Sequence, residues 1–355
     1  MPMWAKALVP ILLLLSLILN VIALLPGVPF MEIVGEVLPG PYSILRVIQL
    51  LWEHQLYPLV ILVIGFSVLF PPIKLTLATV SMMCHMTPRG RERLLGAIGH
   101  LGRWSLLDVF VSLLILLVLG KQGLTGVTVK YGLYCFTGAI ILSMVAGTVL
   151  HEIVRKQNPK PTLVLGHIRP AIIYAGWQGV VSTVLCIGSV IVIGRAFFYP
   201  LFHVNQFGLV SNTWSLKAGI DYLFDGHLSL FAVVMVLFLI IAPLLTILLL
   251  LISLYVPLPN TYRRRTYLWT RYVSEWCMLD VFALAMMLYL SEQNNFVQLT
   301  LLNGLWYLFG AVVVFMVSLL WAEYVSRRAT LRRIATLNDP VTFVGGAAKK
   351  TDEDP

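Results

Sequence analysis

The sequence predicts an all-α polytopic membrane protein of about eight transmembrane helices, built as two tandem four-helix units in the same orientation with both termini cytoplasmic. Three observations predict it. The chain is hydrophobic almost from end to end, its basic residues collect in every second loop, and its sequence repeats at one constant offset.

Of the 355 residues 59% are hydrophobic and 12% charged, with a mean hydropathy of +0.89, far outside the range of soluble domains. About 20 helical residues cross roughly 30 Å of hydrocarbon. Runs able to do so stand at 4–25, 56–83, 104–120, 131–150, 171–198, 227–256, 276–291 and 300–323. The run after Lys6 lacks a small-x-small cleavage site and reads as a first span or anchor. The runs at 104–120 and 276–291 are short, so they extend into flanking polar residues or sit in thin bilayer.

The net charge of +9 sorts by loop. Arg89, Arg91, Arg93 and Arg103 follow the second run, Arg155, Lys156, Lys160 and Arg169 the fourth, and Arg263, Arg264, Arg265 and Arg271 the sixth. Arg327, Arg328, Arg332 and Arg333 follow the last. The alternate loops hold Glu32, Glu36, Glu53, Asp221, Asp225 and Glu292, with Arg46, Lys121, Lys130, Arg195 and Lys217 scattered among them. By the positive-inside rule both termini are cytoplasmic. The runs "RGRER" and "YRRRTY" abut spans and read as orientation signals or anionic-lipid contacts, so no nucleic-acid partner is expected.

The repeat is carried by "RWSLLDVF" at 103–110 and "EWCMLDVF" at 275–282. The offset of 172 that joins Trp104 to Trp276 also joins Asp108 to Asp280, Phe110 to Phe282 and Pro71 to Pro243. It carries "YSILRVIQLLWE" at 42–53 onto "WSLKAGIDYLFD" at 214–225, where a serine N-caps a short amphipathic helix in each copy. The units are therefore 1–160 and 161–340, each with an outer loop of about 30 residues at 26–55 and 199–226. Residues 341–355 read as a disordered cytoplasmic tail. Cys84, Cys135, Cys186 and Cys277 stand singly, so no metal and no disulfide framework is expected.

Candidate functional residues follow from what an apolar span tolerates. A carboxylate at a helix centre costs about 2.5–3.5 kcal/mol on insertion scales, so Asp108 and Asp280 have either a polar network along a transport cavity or a capping or ion-pair role. With Ser105 as N-cap, "SLLD" is a capping box, but Cys277 replaces that serine in the second copy. Pro71 and Pro72, and Pro243 in the second copy, are expected to kink or break their helices. Lys74 follows that break and either pairs with Asp108, holds a headgroup phosphate, or snorkels to the interface; Thr246 takes its place in the second unit. Trp104 and Trp276 read as interface anchors at the cytoplasmic boundary. Glu152 and Glu323 read as solvated end residues. "HEIVR" at 151–155 lacks the second histidine of a zinc-protease motif, and no P-loop is present, so neither an enzyme nor a cofactor is expected.

"LLWEHQLYPLVILVIGFSVLFPPIKL" followed by an Arg-rich loop and "LGRWSLLDVFV" resembles the transmembrane unit of the paraquat-inducible protein A family, also called the LetA family. "FDGHLSLFAVVMVLFLIIAPLLTI" with "SEWCMLDVFALAMM" is a weaker match to the same unit. The resemblance implies a multi-pass protein of the bacterial inner membrane that works with a periplasmic MCE-domain partner to move phospholipid between membranes. The paired CxxC zinc ribbons common in that family have no counterpart before Trp4 or in "IVRKQNPKPTLVLGHIRP". Two other readings stand beside lipid transport: a structural anchor for the MCE assembly, and a proton-coupled exporter using Asp108 and Asp280.

Overall fold

The computed structural model describes residues 3–34, 40–53, 57–83, 103–120, 126–157, 162–164, 176–206, 210–226, 228–257, 260–291, 297–336 and 342–344, with single positions or pairs at 87, 90–91, 94, 96 and 172–173. Within these stretches the side chains of Arg103, Ser105 and Asp108 lie outside the description, as do residues 345–355.

The chain is mostly helical. The first half runs α1 (Met3–Leu24), β1 (Met31–Val34), β2 (Gly40–Tyr42), α2 (Ile44–Glu53) and α3 (Tyr57–Val63). A π turn (Ile64–Leu69), α4 (Phe70–Met83), a 3-10 turn (Arg103–Leu106), α5 (Leu107–Gly120), β3 (Gly126–Val129) and α6 (Tyr131–Gln157) complete it. After β4 (Thr162–Val164) come α7 (Trp177–Phe198), β5 (Phe202–Gln206), β6 (Val210–Trp214), α8 (Leu216–Asp225) and α9 (Ser229–Val236). A second π turn (Leu237–Ile241), α10 (Ala242–Tyr255), α11 (Asn260–Glu275), α12 (Leu279–Ser291), β7 (Val297–Leu301), α13 (Asn303–Thr336) and β8 (Thr342–Val344) follow. Helices starting at 44, 57, 70, 107 and 131 are answered by helices starting at 216, 229, 242, 279 and 303, each 172 residues on.

Four helices are long and apolar enough to cross a membrane, at Tyr131–Val154, Trp177–Phe198, Ser229–Tyr255 and Asn303–Val325, with shorter apolar stretches at Leu8–Leu24 and Ser67–Ser81. The protein is thus a multi-pass membrane protein. α1 lies along α6 and α7 along α13, while α5 packs on α12. The chain-reversing ends follow local chemistry: α7 stops at Tyr199 and α10 at Val256, both extended because each precedes a proline.

The two stretches read from sequence as outer loops are more ordered than expected. β1 lies between β2 and β3, with Met31 opposite Tyr42 and Val129, and β5 lies between β6 and β7, with Phe202 opposite Trp214 and Leu301. Each outer segment is thus an antiparallel hairpin that recruits a strand from about 90 residues further on. The sequence concealed this because each strand is no longer than 5 residues and its partner is not local. Each sheet is locked to the next helix by a glycine: the Gly132 amide donates to Pro29 O at 3.2 Å and the Gly304 amide to Pro200 O at 3.0 Å. A Cβ on Gly132 would lie 2.6 Å from the Pro29 oxygen, and one on Gly304 would collide with the Pro200 carbonyl. The capping serines behave as the sequence predicts. Ser43 accepts from Arg46 N at 3.3 Å and Ser215 from Ala218 N at 3.1 Å.

At the other end of the chain, Thr342–Val344 pairs antiparallel with Thr162–Val164. Part of the segment expected to be a disordered tail is therefore held against the linker between the halves.

The prolines do not break their helices. The Phe70 amide donates to Gly65 O, and the Ala242 amide to Leu237 O, each reaching five residues back. The π turn so skips the carbonyls of Phe66 and Phe238, and the next amide in sequence belongs to Pro71 or Pro243, which has none. The helix continues past a proline whose missing donor falls where the ladder has already slipped by one. Phe238 O is satisfied from outside its own helix, accepting the amide of Met278, the residue just before α12, at 3.3 Å.

That bond ties down the residue just before the short last-but-one helix. α12 has 13 residues, about 20 Å of rise. Before it, α11 doubles back along α10 and brings Trp276 onto the Phe238 ring at 5.7 Å. α11 is a polar helix in the stretch that the sequence assigned to a cytoplasmic loop.

Candidate functional site

In the first half, α4 faces α1 and α6 with Lys74, which is only 4% exposed. Its Nζ donates to Ser143 Oγ at 3.0 Å, and Ser143 in turn donates to Ile140 O at 2.7 Å, so the serine lone pairs are turned to the amine. An ammonium offers three donors, and Ser143 takes one. One turn before Ser143 on α6, Ala139 O accepts from Ser16 Oγ of α1 at 2.7 Å. Asn20, a turn further along α1, and Ser67, in the π turn, are both buried. Among the described residues neither Asn20 Nδ2 nor Ser67 Oγ has a hydrogen-bond partner.

Lys74 is therefore buried in the first half, with its amine turned to Ser143 of α6. A buried cation is costly unless paired, and a neutral hydroxyl compensates it only in part. What such a group does best is hold an anion as a point charge. The pairing with Asp108 raised by the sequence lies outside the described side chains, as does the Ser105 cap.

The second half does not rebuild this cluster. Thr246, at the place of Lys74, is buried and turns its hydroxyl to Ala242 O at 2.8 Å within its own helix. Phe315, buried, stands where Ser143 stands in the first half. Asp280 is half-buried in the first turn of α12, where a carboxylate is favoured by the helix dipole, and the buried Cys277 precedes it.

Trp276 packs on Phe238 in the first half of the Ser229–Tyr255 helix, and Trp104 is likewise half-buried against the core. One sequence expectation is corrected: Glu152 is not a solvated end residue, because it is half-buried and its Oε2 accepts from Tyr272 Oη at 2.6 Å, tying α6 to α11. At the ends away from the sheets, the exposed Trp177 lies 6.5 Å from the half-buried Trp321, which lies 5.8 Å from the exposed Tyr324.

The sequence missed Ser16, Asn20, Ser67 and Ser143. A signal was present in Ser16 and Asn20, one turn apart in an otherwise apolar run, but which face of each helix turned inward was not legible.

No curated protein and no solved structure matches the chain. The description "paraquat-inducible protein A" matches residues 7–153 and 181–330, covering both halves and every helix around Lys74 and the two "LDVF" corners. Over that extent, the chain belongs to the paraquat-inducible protein A family.

Proposed function

We propose that the chain is the inner-membrane subunit of an intermembrane phospholipid transport system in a double-membraned bacterium. It passes lipid between the inner membrane and a periplasmic MCE-domain partner, and so supports outer-membrane integrity. In this reading its eight spans form two four-helix units, 1–160 and 161–340, in the same orientation, with the termini cytoplasmic and the two sheets outside. The MCE partner docks on the sheet end. The protein is not an enzyme and needs no cofactor.

The observation that carries the reading is the Lys74 amine, buried in the first half with Ser143 as its hydrogen-bond partner among the described residues. A phosphodiester is the anion a lipid would bring to it, while acyl chains stay among apolar helix faces. Family membership supports the membrane setting. The test is transfer of labelled phospholipid from vesicles holding the full-length protein to a co-purified MCE partner, with Lys74→Met compared to wild type. Transfer should fall at least tenfold in the variant. Unchanged transfer by the variant defeats the site, and co-purification with no transfer by the wild type leaves a structural anchor instead.

A further inference from the structure

The last turn of α7 presents a basic and aromatic cluster that no part of the transport reading uses. The Arg195 guanidinium donates to Tyr199 Oη at 2.8 Å and lies 5.4 Å from the centre of the same ring. One residue away, the Phe198 ring is 64% exposed and has Lys217 Nζ 6.0 Å above its centre. Tyr307 of α13 extends the aromatic floor, its ring 5.2 Å from Tyr199. Arg195 and Lys217 are both exposed, and among the described residues neither has a carboxylate within salt-bridge distance. Lys217 lies over Phe198 although Asp221 stands one turn along its own helix.

The cluster does not belong to the shared architecture. Matching the last residues of α1 and α7, Leu24 and Phe198, puts Val21 at the place of Arg195 and Leu25 at that of Tyr199. At the offset of 172, Leu45 answers Lys217 and Cys135 answers Tyr307. The first half has exposed Val21, Leu25 and Leu45 at these places, so the fold needs no cation there. The positive-inside rule also runs against two cations at the end that carries the sheets.

We propose that Arg195, Lys217, Phe198 and Tyr199 form a headgroup site for an anionic phospholipid at the sheet end of the second half. The guanidinium, held in place by Tyr199, keeps free N–H groups for two phosphate oxygens; the ammonium adds a point charge, and the rings lie at glycerol depth. The site stands apart from Lys74, and only its assignment to the outer leaflet rests on the transport reading.

The test is native mass spectrometry of the purified full-length protein titrated with phosphatidylglycerol, phosphatidylcholine or inorganic phosphate. A cation near a membrane surface contributes about fivefold in binding. Phosphatidylglycerol should therefore bind more tightly than phosphatidylcholine, about fivefold less after Arg195→Gln, and about thirtyfold less after Arg195→Gln with Lys217→Gln. The charge-preserving pair Arg195→Lys with Lys217→Arg should keep most of the binding, which separates lost charge from lost folding. Equal retention by the neutral double variant, or displacement of the lipid by millimolar phosphate, overturns the proposal. Because no MCE partner is present, a double variant that loses lipid supports the site even where transfer proves absent. A double variant that keeps lipid removes the site without touching the Lys74 reading.

Discussion

Phe110 and Phe282, 172 residues apart in sequence, meet edge to face with ring centroids 5.6 Å apart, and both are fully buried. The repeated "LDVF" corners are therefore each other's packing partners, through α5 and α12 at the centre of the bundle. Truncating either ring removes core volume that no neighbour can refill. Phe110→Ala or Phe282→Ala should cost about 3–5 kcal/mol, and the double variant should cost less than the sum by about 0.5–1.5 kcal/mol. Thermal unfolding in detergent of the four proteins of the cycle measures both.

Lys74 separates stability from function. A buried ammonium whose partner is neutral keeps a desolvation cost that an apolar side chain of similar length does not have. Lys74→Met should thus unfold at the same or higher temperature while losing lipid transfer. A clear drop in unfolding temperature would show that an anionic partner already satisfies the amine.

Gly304 is fixed by the carbonyl it touches. Its Cβ position collides with backbone at Pro200, which cannot rotate away as a side chain would. Gly304→Ala should destabilise by about 1–3 kcal/mol and loosen the junction of α13 with the sheet. Gly132→Ala should act in the same direction at the corresponding junction in the first half. Hydrogen exchange at the residue 304 and 302 amides, the latter bonded to Leu201 O at 3.1 Å, reports the change.

Pro243 keeps Phe238 O available to Met278. Pro243→Ala supplies the amide that the π ladder lacks, and it removes a residue that costs about 3 kcal/mol in a helix interior. The variant should be at least as stable overall, yet the Met278 amide should exchange faster as its acceptor is recaptured within the helix. Unaltered protection at Met278 counts against this account of the π turn.

Tyr272 and Glu152 tie the two halves at the ends away from the sheets. A hydrogen bond to a charged acceptor contributes about 1.5–3 kcal/mol when buried, and less here because both groups are only half-buried. Tyr272→Phe should destabilise by about 1 kcal/mol, read as a shift in the unfolding midpoint.

How much of this was legible in advance depended on range. The membrane class, the capping serines Ser43 and Ser215, and the paired positions of Trp104 with Trp276 and Pro71 with Pro243 were all written in composition, local spacing or self-similarity. The strands were not, because β1 and β5 each find a partner about 90 residues away. The candidate site was half legible. Lys74 stood out as a charge in an apolar run, whereas Ser143, Ser16 and Asn20 are ordinary residues until α1, α4 and α6 are set side by side.

By itself, then, the sequence determined that this chain lives in a membrane, that it says the same thing twice at an interval of 172, and that a lysine interrupts only the first statement. Hydropathy and repetition are properties of a linear string, and they survive without knowledge of contacts. Only the tertiary structure decided that the prolines ride on π turns, that Trp276 lies on Phe238, and that α11 doubles back along α10. Each of these rests on where a backbone group finds its partner or an apolar ring finds cover, and those partners come from helices distant in sequence.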